Sequence, residues 1–224
     1  MKKVISFSLW GDNPKYTVGA IRNAELLGEV YDGWVARYYV GTSVPLEVVH
    51  ELQDFENVEL VRMGEPGDWG SLFWRFYPAS EPDVEAMVSR DTDSRLNERE
   101  FLAVQEWIDS PKGFHIMRDH PGHSTLIMAG MWGAKKNCID MMVDMITLYV
   151  KSHGTNVFDI DQRFLRERVW PVVQGDCMVH DEIWDKTSTP FPSKRIGYEF
   201  VGQVFDEFNR PSVRFIEGLK REIG

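Results

Sequence analysis

Apolar positions along the first half of the chain switch repeatedly between a period of two and a period near 3.6. Val4 to Leu9 is a short β-prone run, and Gly11-Asp12-Asn13-Pro14 stops it with residues suited to capping a helix and entering its first turn. From Tyr16 to Tyr31, the residues Ala20, Ile21, Ala24, Leu27 and Tyr31 recur at three and four, which lays one buried stripe along a helix. Gly33 separates it from a strand over Trp34 to Val40. Pro45 then opens a helix with Leu46, Val49, Leu52 and Phe55 on one face, and Val58 to Met63 returns as a strand. Strand and helix alternating through short loops predict an α/β fold with a mostly parallel central sheet flanked by helices.

Gly64 to Gly70 is the clearest loop, and it leads into a helix over Ser71 to Tyr77 that Pro78 should end. The alternation then resumes with a strand over Val84 to Ser89 and a helix from Asn97 to Ile108, where Asn97 caps and Glu100 reaches back to it. Phe114 to Met117 reads as a strand and Met128 to Gly133 as a strand-like apolar stretch. Asn137 to His153 and Asp161 to Arg168 read as helices, and Cys177 leads a late strand that His180 ends. Because the pattern continues across the central loop, residues 1–224 are expected to form a single domain.

Composition narrows the function classes. With 43% hydrophobic and 27% charged residues the chain is neither disordered nor fibrous. Its 25 Lys+Arg against 35 Asp+Glu leave a net charge of -10, which repels a phosphate backbone, so no nucleic-acid partner is expected. No opening signal pattern and no transmembrane segment are read; the most apolar stretch, Met141 to Val150, carries Asp144 in its middle. Two cysteines, Cys138 and Cys177, make neither a disulfide framework nor a thiolate metal site, and a cytoplasmic location is expected.

Candidate chemistry concentrates at Arg90-Asp91-Thr92-Asp93-Ser94, directly after the strand Val84 to Ser89. Ligands of open α/β sheets bind at the carboxyl ends of strands. Asp91 and Asp93 are two apart, so extended backbone turns both to one side, where a hard cation such as Mg²⁺ or Mn²⁺ would offset their repulsion. The plain alternative is an acidic turn capping the next helix, since D-x-D alone is a common string. A haloacid-dehalogenase type of phosphatase fits less well, because Ser89 and Arg90 intervene after the apolar run and Ser94 follows the second Asp. An EF-hand fails because Leu102 stands at its twelfth position. His115, His120 and His123 match no standard zinc spacing; Pro121-Gly122 between them marks a loop that lines a substrate or lies on the surface. Gly130 suggests a close approach of a ligand to the backbone, and Trp132 is either a sugar-stacking ring or a core residue.

In order as well as type, these pieces resemble the GT-A (nucleotide-diphospho-sugar transferase) fold glycosyltransferases, in particular the small single-domain enzymes of large algal viruses and bacteria. Phe7-Ser8-Leu9-Trp10-Gly11 with Tyr16 is similar to their opening nucleotide-binding strand, and Trp69-Gly70 with Trp74-Arg75-Phe76 to the helix before the metal motif. Arg90 to Ser94 resembles the DxD motif itself. Phe114 to His120 and Gly130 to Gly133 resemble the strands and loop that line donor sugar and acceptor, and Asp161-Gln162 the pair held near the transferred sugar. The likeness spans roughly residues 4 to 205.

The resemblance implies a metal-dependent glycosyltransferase moving a sugar from a nucleotide-diphosphate sugar, a UDP-sugar first among them, to a glycan or other hydroxyl acceptor. It implies a nucleotide-binding half of about 1–95 and an acceptor half of about 96–224. Asp91 and Asp93, with His180 as third ligand, would hold Mn²⁺ or Mg²⁺. Phe7, Ser8, Leu9, Trp10, Tyr16, Arg75, Arg90, Gln162 and Lys194 would bind the donor. His120, Gly130 and Trp132 would meet the sugar or acceptor, and Asp161 and Asp119 would be catalytic. Thr187 to Arg195 is expected to close over the donor. One alternative is a sugar-phosphate nucleotidyltransferase, although Leu9 to Lys15 carries one Gly and one Lys where a triphosphate loop is Gly-rich and basic. The other is a catalytically inactive sugar-nucleotide-binding module.

Overall fold

The structure, a computed structural model, describes residues 1–155 and 157–224. Strands β1 (Lys2–Leu9), β2 (Val35–Val40), β3 (Val58–Arg62), β4 (Val84–Ser89), β5 (Phe114–Arg118), β6 (Trp132–Lys135) and β7 (Cys177–Asp181) form one seven-stranded sheet in the order β3-β2-β1-β4-β6-β5-β7. All neighbours pair in parallel except at β6, which runs antiparallel to both β4 and β5. Successive residues of β1 serve opposite faces. Ile5, Phe7 and Leu9 pack with α1 (Pro14–Val30), α2 (Leu46–Gln53) and α3 (Glu98–Asp109), while Val4 joins a second core with Phe73, Phe76, Trp132, Ile146 and Phe164. That second face is covered by a 3-10 segment (Trp69–Ser80), α4 (Met142–His153) and α5 (Ile160–Phe164). After α5 the chain continues as a π-helical turn (Leu165–Val169) and α6 (Trp170–Val173), and α7 (Val213–Ile223) ends it.

Most expected elements lie within a residue or two of their expected bounds. Asn13 caps α1 by accepting from the Lys15 N–H at 3.0 Å, and Asn97 caps α3 by accepting from the Glu100 N–H at 2.9 Å. The side chain of Glu100 does not reach back to Asn97. It turns into the core, where its Oε1 accepts from Arg90 Nε at 2.6 Å and from the Tyr31 hydroxyl at 2.8 Å. The segment before Pro78 is longer than expected and runs as 3-10 helix through the proline to Ser80. The helix expected from Asn137 begins at Met142, because Asn137 sits at φ 65° in a turn. Past Phe164 the expected α-helix widens into the π turn just ahead of Pro171, a residue with no N–H to give. Helix α7 has no counterpart in the sequence reading.

Between β5 and β7, His115 Nε2 and His180 Nδ1 lie 2.7 Å apart, and His180 Nε2 is 3.1 Å from Glu106 Oε2. Burial holds His115 well below the ordinary imidazole range, lowers His180, and brings His123 down to about 3. The unfolded chain takes up protons near pH 6.5 that these folded imidazoles refuse, so their contribution to stability is present above that pH. It is lost as acid is added toward pH 3. Urea unfolding at pH 7.5 and pH 5 should show a lower midpoint at pH 5, and equal midpoints would mean that these histidines charge freely in the fold.

Candidate functional site

The carboxyl ends of β1 and β4 open onto two adjoining clefts. The first, about 460 Å³, is lined by Ser8, Leu9, Trp10, Tyr16, Asp91 and Asp93 among others. The second, about 370 Å³, is lined by His123, Gly130, Phe158, Asp161 and Gln162 with others. Trp69, Leu72, Arg75, Asp91 and Val204 belong to both walls and mark the junction. Local backbone explains the placement. Ser8 Oγ accepts from the Arg75 N–H at 3.0 Å, tying the end of β1 to the 3-10 segment. Gly67, at φ 96°, lies where any Cβ would fall 2.4 Å from that of Trp10, so the indole keeps its place against the loop.

Charge at the junction is tightly paired. Arg75 Nη2 contacts Asp161 Oδ2 at 2.8 Å and its Nη1 contacts Asp91 Oδ1 at 3.2 Å, while its buried Nε has no partner among the described residues. Lys15 Nζ donates to Asp93 Oδ2 at 2.6 Å. Burial, reinforced by Asp91 alongside, pushes the Asp93 carboxyl up despite Lys15. Burial also raises Asp161, against the pull of Arg75. On Lys15 burial works against the charge, but the bond to Asp93 outweighs it and the ammonium is held more firmly than usual. A Cβ on Gly130 would lie 2.1 Å from Asp91 Oδ2, so this glycine is what lets the carboxylate lie against the β6 approach.

The residues present fit a hard divalent cation. Asp91 and Asp93 share one cleft wall, the Asp91 side chain is 46% exposed, and a cation between the two carboxylates would offset the repulsion that Asp91 adds to the burial of Asp93. No third His, Cys, Asp or Glu joins them among the described residues. Two carboxylates leave positions for phosphate oxygens and water, the donor set that suits Mg²⁺ or Mn²⁺.

Several expected site residues lie elsewhere. His180 is sealed between His115 and Glu106, so it is not a third metal ligand. Arg90 is 0% exposed, and its charge is spent on Glu100. Phe7 stacks on Tyr38 at 4.7 Å in the core, and Trp132 stacks on Phe114 at 5.3 Å with no exposed surface. Neither ring is free to meet a ligand. Asp119 is buried under Arg99, Arg195 and the Val201 N–H, which occupy both its oxygens. His120 is bonded through Nε2 to the Phe215 carbonyl and tilted against Phe200, while His123 lines the second cleft from the same loop. Lys194 is exposed and lines neither cleft. Its segment is pinned, with Thr189 bonded to Val179 and Asp181, Ser193 to Arg99 and Arg195 to Asp119.

Conversely, Lys15, Phe158, Phe200 and Phe215 join the site without having been singled out, and Trp69, expected only as part of the helix before the metal motif, lines both clefts. Asn13-Pro14-Lys15 reads as a helix start, and only the pairing of β1 beside β4 brings that start to Asp93.

No family model matches the sequence, and no curated protein matches it either. In three dimensions the chain has the GT-A fold of glycosyltransferases. A glycosyltransferase involved in the glycosylation of the major capsid of PBCV-1 superposes with a TM-score of 0.54 at 21% identity, over 81% of this chain and 82% of that one. The glycosyltransferase GlyE of Streptococcus pneumoniae gives 0.55 at 12% identity, over 83% of this chain and 46% of that one. A 4-diphosphocytidyl-2C-methyl-D-erythritol synthase from Anaerococcus prevotii gives 0.51 at 10%, over 80% and 86%. At such identities the likeness is one of fold.

Proposed function

We propose that this protein is a metal-dependent glycosyltransferase that moves a sugar from a nucleotide-diphosphate sugar to a hydroxyl acceptor. The observation that carries the reading is Arg75 bridging Asp91 and Asp161 at the boundary of two clefts. The first cleft draws its wall from residues before 95, with Val204 added, and suits the donor; the second draws mostly on later residues and suits the acceptor. Ser8, Leu9, Trp10 and Tyr16 line the end that takes the nucleoside, and a uridine diphosphate sugar is the first donor to test.

Asp91 and Asp93 would hold Mn²⁺ or Mg²⁺, which would supply positive charge to the diphosphate. Arg75, its two terminal nitrogens set on Asp91 and Asp161, adds a planar guanidinium at the junction. As the acceptor oxygen bonds the sugar's anomeric carbon, the bond from that carbon to the phosphate oxygen breaks and its electron pair leaves with the diphosphate, where Arg75 meets the developing charge. Asp161, which lines the second wall beside Gln162, is our assignment for the carboxylate beside the transferred sugar. Its raised affinity for a proton suits it to receive one from the acceptor hydroxyl. Among the described residues no helix is long and apolar enough to cross a membrane, and both thiols are free, which fits a reducing cytoplasm.

Calorimetry with nucleotide-diphosphate sugars and nucleoside triphosphates, each with and without Mn²⁺, tests the reading, followed by product analysis. Metal-dependent binding of one diphosphate sugar and release of its nucleoside diphosphate are expected. Binding of a triphosphate with release of pyrophosphate would make it a nucleotidyltransferase, and binding without turnover would make it an inactive module.

A further inference from the structure

Of the aromatic rings near the site, two are left facing solvent at the edge of the second cleft. Trp69 is 40% exposed and Phe158 is 74% exposed, whereas Trp74 and Trp132 nearby are packed away. The two rings meet edge to face, with centroids 5.1 Å apart and planes at 77°. Trp69 stands at the junction and Phe158 on the second wall, together with Asp161 and Gln162.

A side-chain contact joins the segments ahead of the two rings. Asp68 accepts from the Gly70 N–H through Oδ1 at 2.7 Å and from the Thr155 hydroxyl through Oδ2 at 3.0 Å. Gly70 permits that approach, since a Cβ there would lie 2.5 Å from Thr155 Cγ2. This contact holds the segment that begins at Trp69 beside Thr155, three positions ahead of Phe158.

We infer that Trp69 and Phe158 are a stacking platform for a pyranose ring of the acceptor, an inference that rests on the transfer reading above. A pyranose carries axial C–H groups on one face and hydroxyls around its edge, so it fits a site with aromatic faces on one side and polar groups on the other. The second cleft supplies both, since Gln162, His123 and Asp161 line it alongside the rings. Its only guanidinium is Arg75, already engaged with two carboxylates, so an anionic acceptor finds no free cation there among the described lining residues. The acceptor is accordingly a glycan or glycoside, and the stacking role that Trp132 offers in sequence falls to two other rings.

Saturation-transfer NMR with methyl pyranosides and with short-chain alcohols, on donor-free wild-type protein and then with donor and Mn²⁺, tests this. Saturation concentrated on the C–H protons of one pyranoside face is expected, with no comparable signal from the alcohols. Phe158→Ala should raise the acceptor KM at least tenfold and lower kcat less than threefold, Phe158→Tyr should restore the KM, and Trp69→Ala should abolish the face-selective signal. Donor binding by Phe158→Ala, measured separately, reports that the variant is folded. An acceptor KM within twofold of the parent, or alcohols that bind as well as pyranosides, would overturn the platform. If the protein binds no nucleotide sugar at all, the transfer reading fails, and the pyranoside signal from donor-free protein still decides the platform by itself.

Discussion

Asp91→Asn should lower sugar transfer about a thousandfold while the protein stays folded. The magnitude is that of removing one preorganised electrostatic contact from a developing anion, about 3–4 kcal/mol of barrier. The asparagine keeps the shape of the side chain against Gly130 and removes the charge that Arg75 meets and that the proposed metal would need. Stability is little affected because the side chain is 46% exposed and Arg75 retains Asp161 at 2.8 Å. Calorimetry with Mn²⁺ and nucleoside diphosphate, together with a transfer assay, measures both parts. More than a tenth of parental activity with unchanged metal binding would remove Asp91 from the site.

Asp119→Asn should act on the fold instead of on the chemistry. This carboxylate accepts from Arg99 at 2.9 and 3.0 Å, from Arg195 at 2.6 Å and from the Val201 N–H at 2.9 Å. It gathers α3, the end of β5 and the segment after β7 around one buried charge. An amide cannot accept from four donors at once, and two guanidinium groups would be left short of their counter-charge. Breaking such a buried pair costs about 3–5 kcal/mol, and at this chain length that amounts to roughly 10 °C in Tm. Thermal unfolding measures the loss. A variant with parental Tm whose kcat collapses would return Asp119 to a catalytic role.

What was legible in the sequence follows from what is local. Val84–Ser89 reads as a strand from its own composition, and Asn97 reads as a cap from its own spacing. The position of Asp91 and Asp93 after that strand was equally readable, as was Arg75 ahead of it. Arg90 shows where such reading ends. It adjoins Asp91 in sequence yet is buried, because Glu100 and Tyr31 wait for it on other elements. Asp119, His120, His180 and Trp132 share that history: each has a side chain suited to chemistry, and each is claimed by partners distant in sequence. Phe158 escaped notice, and Trp69 entered only as part of the helix before the metal motif, for the converse reason: nothing near either residue says that folding leaves it exposed. The irregular stretch before α7 has no periodicity, so the wall that Phe200, Gly202 and Val204 give the second cleft could not be read.

The antiparallel strand β6 has a consequence for the chain as it leaves the ribosome. β4 has β1 on one side and only β6 on the other, and β5 has no neighbours but β6 and β7. Until residue 135 has emerged, the outer edge of β4 is an open row of backbone donors and acceptors, and β5 has no strand to pair with at all. Such edges template pairing between molecules. The nascent protein is therefore most prone to aggregate while the stretch between β5 and β6 is being made; β6 then covers β4 and one edge of β5, and the other edge of β5 stays open until β7 emerges.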